Sequence, residues 1–288
     1  MNNKIIAQNK AHLEELIRES INKMGPECNL NHIDTSLITD MSFLFFHSYF
    51  NGDISQWNTS SVIDMSNMFS HSKFNGDISA WDVSNVQMMK SMFDYCKFNG
   101  DISRWNTSNV VNMALMFCES QFNCDISAWN TSNVIDMAYL FSHSQFNGDI
   151  SHWDVAKVEN MGGLFRKSYF NGDISQWNTS KVKYMNAMFY ESKFDSDISG
   201  WDVSNVKNMH YMFTYSKFNG DITRWNALQV ENITSMFDFY PGAVPYWAKI
   251  KNHEDRKKAI IAFYCNQEKT KLEYDINHCA LTQKKFKI

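Results

Sequence analysis

Apolar and polar positions follow one another along this chain in a unit of fixed length that repeats without insertion or deletion. The unit is first complete between Phe50 and Phe69, where it reads FNGDISQWNTSSVIDMSNMF. Its apolar positions recur every 24 residues, most visibly as Trp57, Trp81, Trp105, Trp129, Trp153, Trp177, Trp201 and Trp225. A fixed period of this size is typical of a solenoid, because one unit cannot bury its apolar face alone and must stack on its neighbours. The pattern therefore predicts a repeat solenoid.

Within one unit, the order of residues predicts a short strand followed by a short helix. Residues 53–57 (DISQW) favour the strand, since an isoleucine and a large aromatic residue recur there at close spacing. Ser60 can cap a helix over residues 62–69, whose apolar positions suit one helical face. Gly52 recurs in most units and predicts a tight turn with a positive φ. Asn51 also recurs, and we expect a buried ladder of these amides between units.

The beginning of the chain differs from the repeats and predicts a cap. Residues 1–27 have leucines, isoleucines and a methionine spaced three and four apart, which indicates an amphipathic helix, and Gly25 followed by Pro26 ends it. We expect this N-terminal helical cap to cover the first open core. Residues 28–240 are then expected to form the solenoid, with one degenerate and eight full repeats.

The period ends near Phe237, and residues 241–288 predict a basic C-terminal cap of mixed structure. A helix is expected from Asn252 or His253, and alternation at residues 272–276 indicates a strand.

Charge is distributed unevenly around a net value of −4. Residues 28–240 carry 13 Lys/Arg against 22 Asp/Glu, whereas residues 241–288 carry 10 against 5. An acidic array disfavours the phosphate backbone of nucleic acids, so no nucleic acid is expected as a partner.

Neither a membrane span nor export is expected. The chain has no run of about 18 apolar residues, which a membrane-spanning helix would need. The first residues read as no export signal, and the six cysteines show neither metal-ligand spacing nor a disulfide frame. These features favour a cytoplasmic protein with free thiols.

Candidate catalytic residues do not converge in the repeat pattern. His47, His71 and His143 share one repeat position, where another unit carries Tyr95, and a catalytic base is not expected at such a variable position. The aspartate recurring from Asp53 could bind cations between coils, but capping of a turn is the favoured interpretation. The chain has no phosphate-binding glycine loop, HExxH motif or nucleophile elbow. We therefore expect no enzyme activity, no cofactor and no metal site.

The unit FNGDISxW(N/D)(T/V)SxVxxMxxMF resembles the 24-residue repeats of the BspA-like leucine-rich-repeat family of bacterial surface proteins. The resemblance covers about residues 33–237. It implies a leucine-rich-repeat-like solenoid with a short strand and a short helix per turn. It also implies protein binding or adhesion at the cell surface, without catalysis.

Variable positions on the constant scaffold are the best guide to a partner, because solenoids recognise partners through such side chains. Exposed aromatic residues are favoured anchors in interfaces, and arginine, histidine and glutamine vary at the position before each tryptophan. The predicted partner-binding residues are Gln56, His71, Tyr95, Arg104, Tyr139, His152, Tyr190, Tyr211, Tyr215 and Arg224.

Three functions remain open at this point. The first is a non-enzymatic solenoid, expected to be a monomer, that binds a host, envelope or intracellular protein through an extended variable face. The second is an intracellular immunity or regulatory protein that neutralises a partner enzyme. The third is a cell-surface adhesin whose export signal is missing from this sequence.

Overall fold

The computed structural model describes residues 4–285, with side chains as far as residue 272. Its regular elements lie at the two ends of the chain. The first three are the strand β1 (Ile5–Ile6), the helix α1 (Lys10–Met24) and the strand β2 (Ile33–Asp34), and the two strands pair in parallel. A short 3-10 helix (Tyr246–Lys249) and the long helix α2 (His253–Lys285) follow the repeats.

Between β2 and the 3-10 helix, the described chain consists of turns and isolated parallel bridges, so the strand and helix expected in every repeat are wrong. Asp53 accepts a hydrogen bond from the Ser55 amide at 3.0 Å, which turns the chain where the strand was expected. Asn67 and His71 adopt φ values of 58° and 56°. A right-handed helix cannot continue through such left-handed residues.

Each repeat is held mainly by the next one. Three backbone amides of one unit, at Met65, Asn67 and Phe69, donate to carbonyls of the following unit at 2.8–3.0 Å. The side chains of the recurring asparagines add a ladder of hydrogen bonds between repeats. The backbone amide of Asn75, for example, donates to the side-chain oxygen of Asn51 at 2.8 Å. These asparagines are half-buried or exposed rather than buried as expected. The structure is therefore a repeat protein in which each unit satisfies its backbone through its neighbours.

The recurring glycine serves close packing rather than a positive φ, which corrects the expectation for Gly52. None of the recurring glycines has a positive φ. A Cβ at Gly76 would lie 2.9 Å from the ring of Phe74, and one at Gly100 would lie 2.8 Å from the ring of Phe98. The glycine therefore leaves room for the aromatic ring two residues earlier.

The core consists of continuous rows of identical side chains, as the pattern predicts. Trp57 and Trp81 are 4% exposed, and their rings stack with centroids 6.4 Å apart. Phe69 packs on Phe74 with centroids 4.1 Å apart. Each indole also keeps a partner for its N–H group, since Trp81 Nε1 donates to the Ile54 carbonyl at 3.2 Å. The stacked tryptophans are therefore buried with their N–H groups hydrogen-bonded.

The helix α1 lies at the N-terminal end of the core. Asn9 caps it by accepting from the His12 amide at 3.0 Å, and the helix ends at Gly25 with φ 85°. Leu13 and Ile17 are buried in the same cluster as the repeat core. Lys10 pairs with Asp40 at 3.0 Å and thereby ties α1 to the first repeat.

The helix α2 begins where the sequence indicates, because Asn252 accepts a hydrogen bond from the Asp255 amide at 3.0 Å. Arg256 is buried and donates to the Val230 carbonyl, which joins the helix to the last repeat. The strand expected at residues 272–276 is wrong, since these residues continue α2. Their neighbours are good helix formers without Gly or Pro, which explains the difference. No described helix has the length and apolar character needed to cross a membrane.

We expect Trp129→Ala to destabilise the protein by about 3–5 kcal/mol, because it empties a central position in the stacked row. Trp129 is 3% exposed and donates to the Ile102 carbonyl at 3.1 Å. Urea unfolding followed by circular dichroism measures the change. The control is Ala128→Ser, which changes the exposed residue before Trp129 and should leave the midpoint of urea unfolding unchanged. An unchanged midpoint for Trp129→Ala would contradict its role in the core.

Candidate interaction face

The predicted partner-binding residues lie at two different places in the repeat. Gln56, Arg104, His152 and Arg224 occupy the exposed position before each tryptophan. The others lie in the turns that flank the buried Met-Phe or Leu-Phe pair of each repeat: Tyr139 and Tyr211 directly before it, and His71, Tyr95, Tyr190 and Tyr215 after it. We name this second surface the aromatic ridge and define it by three columns of residues spaced by 24. The three columns contain every 24th residue from 43 to 235, from 46 to 238 and from 47 to 239, and are written 43–235, 46–238 and 47–239.

Two of the three columns of the aromatic ridge, 43–235 and 47–239, have a left-handed backbone. Tyr95, Tyr211 and Tyr215 have φ values of 52°, 59° and 56°. Such values are costly for bulky residues, and they persist here because each amide is bonded to the following repeat. The Tyr95 amide, for example, donates to the Cys118 carbonyl at 2.9 Å. The side chains of the ridge are therefore held in register by a rigid backbone.

Rings stack along the column that runs through residues 47–239, at both of its ends. His71 lies between His47 and Tyr95, with ring centroids 4.5 Å from each. At the other end, Tyr215 stacks on Phe239 at 4.3 Å. Tyr95, Tyr215 and Phe239 are 51%, 49% and 74% exposed. The column therefore presents ring edges to solvent at its two ends.

Charged side chains occupy the middle of the same column and contact one another. His143 Nδ1 lies 3.0 Å from a Glu119 carboxylate oxygen, and its Nε2 lies 2.7 Å from Arg166 Nη1. Arginine can only donate, so Nε2 must accept and Nδ1 must carry the proton that Glu119 accepts. Burial lowers the pKa of His143. The negative charge of Glu119 raises this pKa, and the positive charge of Arg166 lowers it. His143 is therefore neutral and orients Arg166.

A cleft opens beside these charges, at the C-terminal part of the ridge. Tyr190 meets Tyr211 and Tyr215 edge to face, with centroids 6.0 and 6.4 Å away. The cavity has a volume of about 460 Å³, and Arg166 and Asp238 also line it. The guanidinium of Arg166 lies over the Tyr190 ring, 5.3 Å from its centroid. Three predicted partner-binding residues thus meet in one concave site.

Arg166 and Asp238 were not among the predicted partner-binding residues. Both occupy the repeat position of Ser70, which varies from unit to unit, and that variation was the available signal. Tyr139 lies apart from the cleft and covers Gly163, where an added Cβ would lie 2.2 Å from the Tyr139 ring. Gly163 has a positive φ, 63°, as the other residues of its column do. The Tyr139 ring occupies the space that a side chain at position 163 would fill.

The N-terminal side of the charged region contains a half-buried carboxyl group, that of Asp94. Burial raises the pKa of Asp94 to about 6, and the charge of Glu119 acts in the same direction. One Asp94 carboxyl oxygen is buried without a hydrogen-bond partner. Burial also raises the pKa of the neighbouring Cys118 to about 12, so this thiol stays protonated. The described residues contain no group of three side chains suited to hold a metal ion.

The recurring aspartates, from Asp53 to Asp221, act as turn caps. Asp77 accepts from the Ser79 amide at 2.9 Å, and the same bond recurs between Asp173 and Ser175. This hydrogen bond lowers the pKa of each carboxyl group.

Comparison with known proteins identifies the family. A family described as "Mycoplasma protein of unknown function, DUF285" matches residues 15–121, 94–191 and 144–244 in three overlapping stretches. The chain belongs to the DUF285 family. The matches cover the repeats and most of α1, so membership rests on the tandem unit itself. No curated protein and no solved structure matches the chain.

We expect Asp94→Asn to stabilise the protein at pH 8 and to lose this advantage as the pH falls. A folded-state pKa raised from 3.8 to about 6 means that Asp94 destabilises the fold progressively as the pH rises through this window. Because the group is only partly buried, about 1 kcal/mol is expected, or roughly 2–4 °C in melting temperature.

Melting temperatures measured from pH 4 to pH 8 test this expectation. Asp238→Asn is the matched control, because Asp238 occupies the same repeat position and is exposed. Equal gains for Asp94→Asn at pH 4 and pH 8 would contradict the expectation.

Proposed function

We propose that this chain is a non-enzymatic solenoid of the BspA-like leucine-rich-repeat class that binds a partner protein through the aromatic ridge. The observation that carries the proposal is the row of exposed, variable side chains on a left-handed backbone. Tyr95, Tyr211 and Tyr215 lie 39–51% exposed on that backbone. Bulky residues are held at a conformational cost in positions where they contribute little to the core, which is typical of functional surfaces.

The distribution of variation supports the same function. Core positions repeat almost unchanged from unit to unit, whereas the ridge columns change from histidine to tyrosine, glutamate and lysine. Partner recognition in repeat proteins uses such side chains on an extended surface. Tyrosine and arginine, both present on the ridge, are over-represented among residues that dominate binding energy.

The chemistry of the polar groups favours binding over catalysis. A nucleophilic cysteine needs a depressed pKa, whereas burial raises that of Cys118. His143 has both ring nitrogens engaged, by Glu119 and Arg166, and so has no free nitrogen for a substrate.

The regulatory protein and the adhesin are two uses of the same face. An intracellular regulator would hold one partner enzyme in stoichiometric amount, whereas an adhesin would hold a host or envelope protein. Capture from separated cytoplasmic and surface fractions distinguishes the two uses.

The test is affinity capture with the full chain as bait, followed by mass spectrometry and titration of the retained protein. We expect the double variant Tyr95→Ala and Tyr215→Ala to weaken binding at least tenfold, about 1.4 kcal/mol, because exposed tyrosines serve as anchors. Alanine keeps the Cβ atom, so the conformational cost of the left-handed backbone changes little.

The matched control is the double variant Gln56→Ala and Arg104→Ala, which removes exposed side chains from the position before the tryptophans. We expect it to bind normally. Loss of binding in this control with full binding by the tyrosine variant would place the interface at the other set of predicted residues.

A further inference from the structure

The tyrosine-walled cleft contains a cationic group without an anionic partner. Within the described part of the chain, no carboxylate oxygen lies within 4.0 Å of the Arg166 guanidinium. Its neighbour Lys167 differs, because it pairs with Glu191 at 3.4 Å. Arg166 is half-buried, so its charge is less screened than that of a fully exposed arginine.

The guanidinium of Arg166 is held in place before any ligand binds. Nη1 contacts His143 Nε2 at 2.7 Å, and the guanidinium carbon lies over the Tyr190 ring. Among the described residues, no hydrogen bond involves Nη2 or Nε. These donors form the planar fork that pairs with a carboxylate through two parallel hydrogen bonds. Orientation in advance reduces the entropy lost on binding.

The charge around the cleft is opposite to that of the array. The four repeat segments around the cleft, residues 163–169, 187–193, 211–217 and 235–241, contain two acidic and four basic residues. The acidic residues are Glu191 and Asp238, and the basic residues are Arg166, Lys167, Lys193 and Lys217. The repeats as a whole are acidic, with 22 Asp/Glu against 13 Lys/Arg. A local basic patch on an acidic protein favours an acidic ligand at that place alone.

Resting on the proposed function, we propose that this cleft binds an acidic peptide segment of the partner. A carboxylate of the segment pairs with Arg166, and an adjacent apolar side chain packs among Tyr190, Tyr211 and Tyr215. The volume of about 460 Å³ accommodates these two groups. Asp238 also lines the cleft, but its carboxylate is exposed and solvated, so it weakens the attraction without cancelling it.

The first experiment selects phage-displayed random dodecapeptides on the full-length protein. We expect the enriched peptides to combine Asp or Glu with Leu, Phe or Tyr. Enrichment of lysine and arginine, or no enrichment at all, would overturn the inference.

The second experiment measures the affinity of the most enriched peptide by fluorescence anisotropy. Arg166→Ala should weaken binding at least tenfold. Asp238→Asn should strengthen it several-fold, because it removes the one acidic group lining the cleft; a cationic ligand would show the reverse effect. Arg104→Ala is the control, since it removes an arginine from outside the ridge, and it should bind as the unaltered protein does.

Folding of each variant is checked by its melting temperature. If Arg166→Ala is destabilised, Arg166→Gln is measured in its place, because glutamine removes the charge while keeping a polar side chain that can donate hydrogen bonds. Full binding by a folded Arg166→Gln variant would overturn the inference. Should a natural partner depend on Tyr95 but not on Arg166, the cleft proposal fails while the proposed function stands.

Discussion

The structure depends on one interaction, the hydrogen bonding of each repeat to the next. A single unit contains no regular helix or strand, so it cannot satisfy its backbone alone. Amides such as those of Met65 and Phe69 find their acceptors in the following unit, at 2.9 and 3.0 Å. The strict 24-residue spacing follows from this constraint, because an inserted residue would shift every donor away from its acceptor. The helix α1 and the segment before α2 then cover the two ends of the core, where no further repeat is present.

The same register separates the core from the surface that is proposed to bind a partner. Rows of Trp, Phe and Met fill the interior and vary little, since each ring packs on its equivalents in both neighbours. The exposed residues of the aromatic ridge are free to vary because their side chains leave the core while their backbone stays bonded. Left-handed residues such as Tyr95 and Tyr215 combine a backbone that is bonded to the next repeat with a side chain that is exposed. Their conformation is held by hydrogen bonds to the next repeat, so the ridge can exchange histidine, tyrosine, glutamate or lysine without altering the scaffold.

Charge follows a similar division. The turn-capping aspartates make the array acidic as a by-product of the repeat, since each carboxylate is needed by a local amide. Arg166 pairs with no carboxylate among the described residues, and its orientation by His143 and Tyr190 places a positive charge at one cleft. A surface whose local charge opposes that of the whole molecule discriminates among ligands more sharply than net charge alone.

The sequence by itself determined the period, the inward rows, the capping aspartates, the end of the first helix at Gly25 and the start of the last one, because these depend on spacing and local chemistry. The first helix begins only at Lys10, after the strand β1, and not near residue 1 as expected. The sequence also led to a wrong strand and helix in each repeat, and to a wrong positive φ at Gly52. Only the tertiary structure decided those features, since the left-handed φ of Asn67 and His71 is imposed by hydrogen bonds to the next unit. The cleft was equally inaccessible to sequence reasoning. Tyr190, Tyr211 and Tyr215 share a variable region, but the contacts of Arg166 with His143 and Tyr190 join residues 23 and 24 apart. Repeat spacing reveals which columns exist, whereas the packing of unlike side chains on neighbouring units decides which of them form a site.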